Sequence, residues 1–279
     1  MNIIDYHRRR EISSTNIRDA LKSGMTFVDG INGPPRPSTP GMDTGSAVHA
    51  CLGEPDVFVE EFVFRPKGLN LSTKDGRAFK KENEGKTLLP YDFADDLQKI
   101  QNNLRRSPAA DFYNVSGKAN ADIEKDFFWE IAGSNRGGKC RPDWISKDRK
   151  TIVDLKTTQS ADKSSFQRSV ITYGYHIQAA WYMWGIEQAT GIKPEEFIFV
   201  VIEKNRPFGI GVYRADHEML GLGSAECMKA IELINRWEKE DSFPDYCNEI
   251  ETITLPPWMR LKSDKQHVTP QNYHEIELY

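Results

Sequence analysis

The sequence predicts an α/β fold with a central mixed β-sheet flanked by helices, and an N-terminal helical cap over one edge. Two observations support this prediction. Apolar, β-branched stretches typical of strands alternate with stretches of helical apolar spacing along the 279 residues. This length is sufficient to bury a large core, and no apolar run reaches the length of a membrane span. Charged residues interrupt the N-terminus too early for a signal peptide, so we expect a cytoplasmic location and no membrane partner.

Three segments are expected along the chain. Residues 1–56 form the helical cap or arm, residues 57–259 the core domain, and residues 260–279 a polar tail. The first 11 residues contain three consecutive arginines and are expected to be exposed.

Capping residues and prolines predict the elements of the cap. Ser13 or Ser14 can cap a helix that runs to about residue 23. Residues 32–41 are too rich in proline and glycine for regular structure. A second helix over 44–52 is expected to end before Pro55, because proline cannot continue a helix.

The elements of the core domain follow from apolar periodicity and from the turns between them. Apolar residues at helical spacing indicate helices, and runs of β-branched or aromatic residues indicate strands. We expect a strand at 57–65, a basic loop with a short helix at 66–86, a helix at 91–106, a three-stranded meander at 121–158, a long helix at 164–189, strands at 197–203 and 210–213, and an amphipathic helix at 216–240.

One sequence pattern in the predicted meander contains candidate catalytic residues. Pro-Asp at 142–143 is followed, after ten residues, by Asp154-Leu155-Lys156 in an apolar stretch that is typical of a strand. Strand alternation places Asp154 and Lys156 on the same face. The polar turn at 147–150 predicts a hairpin that brings Asp143 beside Asp154.

Two neighbouring carboxylates repel each other unless a cation lies between them. Mg²⁺ prefers a few carboxylates, several waters and phosphate oxygens, and a lysine can hold a water or stabilise a developing negative charge. The pattern therefore favours metal-assisted phosphodiester hydrolysis. The alternative is an ordinary hairpin with solvated charges. The four cysteines share no C-x-x-C spacing, so the sequence indicates no zinc or iron–sulfur site.

The Asp143–Asp154–Lys156 pattern resembles the signature of the PD-(D/E)xK nuclease superfamily. Gln178 and Tyr182 resemble the Gln-x-x-x-Tyr motif of its RecB-type branch. From about residue 12 to 259, the chain is similar to the exodeoxyribonuclease VIII (RecE-type) family of phage and prophage recombination exonucleases. The segments that resemble this family lie at 45–55, 71–79, 116–119 and 244–258.

The resemblance implies two sets of site residues. The expected catalytic residues are Asp143, Asp154, Lys156, Gln178 and Tyr182, and the expected metal ligands are His49, Glu124, Asp143, Asp154 and the backbone carbonyl of Leu155. The expected metal is Mg²⁺, with Mn²⁺ as a substitute, since a neutral imidazole suits Mn²⁺. Alternatives remain open from the residues alone: Asp126 could replace Glu124, and His49, Gln178 and Tyr182 could be ordinary core residues.

Basic residues on the segments that flank the pattern are candidates for DNA phosphate contacts, namely Lys74, Arg77, Arg136 and Arg141. A solvated surface is the alternative for these residues, and Trp144 could either stack on a base or pack in the core. The net charge of −4 argues against a chain that coats DNA nonspecifically. The net charge is compatible with a local basic channel in an otherwise acidic protein.

The expected function is metal-dependent exodeoxyribonuclease activity on the ends of duplex DNA. The resemblance implies 5′ to 3′ degradation, a 3′ single strand left for recombination by an annealing protein, and a homo-oligomeric ring of three or four subunits. An endonuclease or structure-specific repair nuclease of the same fold is the first alternative. A non-catalytic DNA-end clamp is the second, although a clamp has no need of Lys156.

Overall fold

The computed structural model describes residues 3–34, 39–112 and 121–256. The chain divides into two compact units, Met1–Asp245 and Tyr246–Tyr279. The described part of the second unit, residues 246–256, contains neither helix nor strand. The tail expected at 260–279 lies outside the described residues. Among the helices that are described, none is long and apolar enough to cross a bilayer.

Ten helices and nine strands follow one another in the described ranges. In chain order they are α1 (Ile3–Arg8), α2 (Ser14–Ala20), α3 (Gly24–Asn32), α4 (Pro40–Gly53), α5 (Pro55–Glu61), β1 (Phe62–Phe64), α6 (Lys74–Glu82), β2 (Thr87–Leu89), α7 (Phe93–Arg105), β3 (Ala121–Ile123), β4 (Phe127–Glu130), β5 (Gly137–Cys140), β6 (Trp144–Ser146), β7 (Thr151–Thr158), α8 (Lys163–Tyr173), α9 (Tyr175–Thr190), β8 (Glu196–Glu203), β9 (Ile210–Arg214) and α10 (His217–Glu240).

A mixed sheet forms the centre of the first unit, which confirms the predicted fold class. Its strand order is β3-β6-β7-β8-β9. The central pair β7 and β8 is parallel, and the other neighbours are antiparallel. Two smaller two-stranded sheets, β1-β2 and β4-β5, lie outside it.

Alternate residues of the central strands pack into two separate cores, one on each face of the sheet. Phe197, Phe199 and Val201 of β8 pack with α2, α9, α10 and the β4-β5 sheet. Ile198 and Val200, which alternate with them, pack with α4 and α7. Both faces of β8 are therefore buried, as its continuous apolar sequence requires.

The structure confirms several expected elements and corrects others. The helices expected at 91–106 and 216–240, the strands at 197–203 and 210–213, and the short helix within 66–86 are present. Ser13 caps α2 with a capping box, and this helix ends at Ala20, so that Ser23 caps a separate helix, α3. The meander expected at 121–158 is instead five short strands divided between two sheets.

The region around Pro55 differs from expectation. Pro55 ends α4 as expected, but it also occupies the first turn of α5. Proline is favoured there because its fixed φ suits a helix and its missing N–H needs no partner. The strand predicted at 57–65 is therefore wrong for most of its length, and only Phe62–Phe64 is a strand.

The N-terminal arm is exposed at positions 5 and 7–10, as expected, but it is anchored to the rest of the fold. Tyr6 of α1 is buried, and the ammonium of Lys139 donates hydrogen bonds to the carbonyl oxygens of Tyr6 and Arg9 at 2.9 and 2.7 Å. Lys139 thus supplements the 3.4 Å backbone hydrogen bond from the Arg9 amide to the Tyr6 carbonyl at the end of α1.

The long helix expected at 164–189 is two helices. Gly174 has a φ of +66° and serves as the left-handed C-cap of α8, after which α9 begins at once. Arg18 of α2 donates a hydrogen bond to the Tyr173 carbonyl, so the break is fixed by a residue far away in sequence.

Candidate active site

A cleft of about 1320 Å³ opens beside the C-terminal end of β7. His49 of α4, Glu124 after β3 and Lys156 of β7 line the cleft. One face of α8 forms a further part of its wall. Three predicted site residues on three separate segments of the chain are thus brought into one concave site.

The β6–β7 hairpin positions Asp143. Trp144, the first residue of β6, pairs with Val153 of β7, so Asp143 lies immediately before β6 and next to the middle of β7. The Leu155 amide donates a 2.5 Å hydrogen bond to Asp143 Oδ2. The Glu124 amide donates to the Asp143 carbonyl oxygen at 3.2 Å. The hairpin predicted from the sequence is therefore present, and it holds Asp143 by both its side chain and its backbone.

His49, Glu124 and Asp143 form a cluster whose ligand atoms all lie within 4.8 Å of one another. His49 Nδ1 is 3.4 Å from Asp143 Oδ1. Helix α4 can bring His49 this close because Gly45 faces β7, where an added Cβ would lie 2.9 Å from Thr157 Oγ1. Glu124 reaches the cluster, whereas Asp126 forms an ion pair with Arg141 at 2.6 Å.

Glu124 adopts a left-handed backbone conformation, with a φ of +46°. This conformation is unfavourable for a residue with a side chain and persists only where the surrounding structure imposes it. At this position the chain leaves β3, and the Glu124 carboxyl group lies beside Asp143. The strain is therefore located at a side chain of the cluster.

Asp154 and Lys156 lie behind the cluster in a second network with Gln178 of α9. Lys156 Nζ is 2.5 Å from Asp154 Oδ2 and donates to Gln178 Oε1 at 2.9 Å. The Gln178 amide nitrogen donates to Asp154 Oδ1 at 2.7 Å. Gln178 therefore bridges the carboxylate and the ammonium, and these hydrogen bonds satisfy an amide that the fold partly buries.

Tyr182 lies one helical turn after Gln178 on α9, and its phenol interacts with the Gln178 side chain. Its catalytic role stays a prediction. Burial raises the pKa of Tyr182 well above its usual value, so the phenol stays protonated and can donate. The Leu155 amide holds Asp143, and the predicted role of the Leu155 carbonyl as a metal ligand stays a prediction.

The electrostatics of the site reflect crowding of acidic groups. Burial, followed by the charges of Asp143 and Glu54, raises the pKa of Glu124 to about 9. Burial also raises the pKa of Asp154 to about 6, although Lys156 opposes this shift. Burial acts in the same direction on Asp143, but His49, Lys156 and the Leu155 amide together lower its pKa. The raised pKa favours the protonated form of Glu124 at neutral pH.

The donor set fits a hard divalent cation. Adjacent ligand atoms on an octahedral Mg²⁺ lie about 2.9 Å apart and opposite ones about 4.1 Å apart. The ligand atoms of His49, Glu124 and Asp143 all lie within 4.8 Å of one another, and His49 Nδ1 lies 3.4 Å from Asp143 Oδ1. Asp154 Oδ2 is buried and lies 2.5 Å from the Lys156 ammonium, so this carboxylate already has a cationic partner, and its predicted role as a metal ligand stays a prediction.

The residues predicted to contact DNA lie in several environments. Arg141 lines the cleft but is buried and paired with Asp126. Arg136 pairs with Glu238 and lines a separate, shallow pocket. Lys74 and Arg77 are exposed on α6, outside the lining of the cleft. The structure thus places one of the four at the site, and their role in DNA binding stays a prediction.

One face of α8 contributes residues that the sequence analysis did not single out. Ser165, Arg168, Ser169 and Thr172 recur at helical spacing and line the cleft. Arg168 Nη2 donates to Ser165 Oγ at 2.9 Å, and the arginine remains exposed. The sequence could have indicated this polar helix face, because its members lie three and four residues apart.

Similarity to other proteins is consistent with this geometry. No curated protein matches the chain in sequence. A solved structure of a candidate exonuclease from Eubacterium rectale is similar at a TM-score of 0.59 and 16% identity, covering 94% of this chain and 96% of that one. A phage-related exonuclease from Haemophilus somnus 129PT aligns at 12% identity and a TM-score of 0.37, covering 83% of this chain and 96% of the other.

The first of these structures shares the fold of this chain. The second is too dissimilar in structure to add to that conclusion. The sequence itself matches the family described as a PDDEXK-like domain of unknown function (DUF3799) over residues 13–256. This match includes every member of the cluster and of the Asp154–Lys156–Gln178 network, and the chain therefore belongs to the PDDEXK-like family DUF3799.

Proposed function

We propose that this protein is a metal-dependent exodeoxyribonuclease that degrades one strand of duplex DNA from its ends. The observation that carries the proposal is the joint presence of two groups in one cleft. A cation-binding cluster of two carboxylates and an imidazole lies beside a lysine held by a carboxylate and an amide. A cluster alone would serve a structural ion, but the oriented Lys156 serves hydrolysis.

His49, Glu124 and Asp143 would hold the divalent ion, with Asp154 of the neighbouring network as the further predicted ligand. Mg²⁺ is the expected metal and Mn²⁺ its substitute, since imidazole is a better ligand for Mn²⁺. When bound, such an ion lowers the pKa of a water ligand and neutralises charge on the phosphate.

The residues of the chain supply orientation and charge. Lys156 directs its ammonium group into the cleft from a fixed position, because Asp154 and Gln178 both contact it. From there it can hold the attacking water and stabilise the negative charge that develops on the phosphate. Tyr182 supports Gln178 from the next turn of α9.

The finer features of the proposal rest on the resemblance to exodeoxyribonuclease VIII. They are 5′ to 3′ polarity, a 3′ single strand that an annealing protein uses in recombination, and a homo-oligomeric ring of three or four subunits. The net charge of −4 gives a monomer little general affinity for DNA. A ring would bring basic loops from several copies around one duplex, and processivity would then come from enclosure.

The deciding experiment compares linear and covalently closed circular duplexes. Linear substrates carry a label at either the 5′ or the 3′ end of one strand, and each is incubated with and without Mg²⁺. We expect Mg²⁺-dependent release of labelled 5′-mononucleotides from linear DNA and intact circles. Cutting of closed circles would favour the endonuclease, and DNA binding without cleavage would favour the clamp. Asp143→Asn tests whether the cleavage belongs to this site.

A further inference from the structure

The break between α8 and α9 presents an aromatic pair to the cleft. Tyr173 is the last residue of α8 and Tyr175 the first of α9, and only the left-handed Gly174 separates them. Their ring centroids are 5.6 Å apart, at an interplanar angle of 33°. In an unbroken helix, side chains two residues apart point to different sides, so the break is what brings these two rings together. We call Tyr173 and Tyr175 the tyrosine pair.

The tyrosine pair extends from the catalytic lysine to solvent. Lys156 Nζ lies 4.6 Å from the centroid of the Tyr175 ring, which is partly buried. Tyr173 continues outward from Tyr175, is 53% exposed and lines the cleft. Exposure of a large aromatic ring in a polar cleft leaves apolar surface that folding does not use.

Contacts with the rest of the fold hold the backbone of the tyrosine pair and the ring of Tyr175. Arg18 donates a hydrogen bond to the Tyr173 carbonyl, and its side chain packs against the backbone of Gly174. Tyr175 also stacks on Phe166 in the core, with centroids 5.9 Å apart. The exposed Tyr173 ring lies against Tyr175, so its support comes from a ring that the core holds in place.

We infer that Tyr173, supported by Tyr175, stacks on a nucleobase next to the scissile phosphate. This inference rests on the proposed nuclease function and adds a residue that binds the substrate. A phosphate held at Lys156 places the attached nucleotide over the tyrosine pair. Thr172 and Ser169 on the same face of α8 offer hydroxyl groups to the neighbouring backbone. Trp144, the aromatic residue considered for stacking from the sequence, is buried at 6% exposure and packs on Phe112.

The test is a cycle that removes the ring and the base separately and together. Degradation of a linear duplex by wild type and by Tyr173→Ala is measured as kcat/KM on an intact end. The measurement is repeated on ends that carry an abasic nucleotide on one or the other side of the first scissile bond. Loss of base–aromatic stacking corresponds to about 5- to 150-fold. We expect a loss in this range on the intact end, and activities within about two-fold of each other on one of the abasic ends.

Three further variants separate stacking from other roles. Tyr173→Phe should retain wild-type activity because it keeps the aromatic ring. Tyr173→Leu should be as inactive as Tyr173→Ala because leucine keeps apolar volume but has no aromatic ring. Tyr91→Ala is the matched control, since Tyr91 is 55% exposed and lies outside the lining of the cleft. Its activity should be unchanged. Melting temperatures of all variants show whether they remain folded.

The outcomes distinguish this inference from the proposed function. A wild-type protein that leaves every DNA intact would overturn both. If the wild-type protein is a nuclease but Tyr173→Ala lowers kcat/KM by the same factor on intact and abasic ends, or on neither, the stacking role alone is overturned. The stacking role is also overturned if Tyr173→Phe is as inactive as Tyr173→Ala, because that result would assign the role to the hydroxyl group.

Discussion

Replacement of Lys156 by alanine tests the site through two independent quantities, the rate of cleavage and the free energy of unfolding. The ammonium group is the charge that the structure places in the cleft beside the predicted metal cluster. Removing one electrostatic group that stabilises a transition state commonly lowers kcat by about 10²-fold or more. We therefore expect Lys156→Ala to lose at least that factor on linear duplex DNA.

The effect on stability follows from burial. The side chain of Asp154 is 2% exposed and that of Lys156 15%, so alanine would leave a buried carboxylate whose remaining described partner is Gln178. Breaking a buried pair from one side costs about 3–5 kcal/mol, and we expect the lower value because Lys156 retains some exposure. Asp154 can escape part of this cost by taking up a proton.

Because Asp154 can take up a proton, the destabilisation caused by Lys156→Ala should depend on pH. The pKa of Asp154 is already raised from 3.8 to about 6, and loss of the ammonium would raise it further. A carboxyl group whose folded-state pKa is raised favours folding at low pH and loses that contribution as pH rises through the folded value. The destabilisation by Lys156→Ala should therefore be larger at about pH 8 than at about pH 5.

The assay pairs denaturant unfolding at the two pH values with initial rates of nucleotide release. Lys150→Ala is the matched control, because Lys150 directly precedes the same strand but forms an exposed pair with Glu195. It should change stability little, because water screens an exposed ion pair, and it should leave the rate unchanged. Lys156→Met keeps the length of the side chain and removes only the charge. Wild-type cleavage by Lys156→Ala or Lys156→Met would refute the assignment of this residue.

Four other results are expected. EDTA should stop cleavage, Mg²⁺ or Mn²⁺ should restore it, and Ca²⁺ should bind with little turnover; full activity in excess chelator would contradict the metal site. The pKa of Glu124 is raised from 4.5 to about 9, so a metal ion that binds this carboxylate must displace its proton. The rise in melting temperature on addition of Mn²⁺ should therefore be larger at about pH 8.5 than at about pH 6. An equal rise at both pH values would argue against Glu124 as a ligand. Gly174→Ala should destabilise by about 1–2 kcal/mol in thermal unfolding, because φ is +66° and the new Cβ would lie 2.5 Å from Arg18 Cδ; no change would show that the junction adjusts. Charge reversal at Lys74 or Arg77 should weaken DNA binding and flatten its dependence on salt without unfolding the protein; an unaltered salt slope would remove α6 from the DNA path.

The β6–β7 hairpin was predictable because its determinants are local. A polar turn between two apolar runs sets the register, and strand alternation then fixes which side chains share a face. The placement of Asp143 beside β7, with Lys156 and Asp154 in contact, follows from these two facts alone. By contrast, His49 and Glu124 are far from the hairpin in sequence, and only the resemblance to a known family suggested that they join it.

The break at Gly174 was not predictable by the same reasoning. Apolar residues continue at helical spacing on both sides of it, and a single glycine is compatible with an unbroken helix. What stabilises the break is the hydrogen bond from Arg18 to the Tyr173 carbonyl, a contact across the tertiary structure. Pro55 illustrates a similar ambiguity, since the same residue that ends one helix is favourable in the first turn of the next.

The unfavourable features of this fold are concentrated around the cleft. Glu124 combines a left-handed backbone, which costs about 1–3 kcal/mol, with a carboxyl group that burial and Asp143 keep protonated. Burial raises the pKa of the Asp154 carboxyl group to about 6 although Lys156 lies beside it. Apolar packing on the two faces of the sheet stabilises the fold against these costs. A cation that binds only the folded state would offset them directly, by an amount that grows with its concentration over Kd. The same groups whose burial is unfavourable are those that the proposed hydrolysis needs, so metal affinity and catalytic competence should be lost together when Glu124 or Asp143 is neutralised.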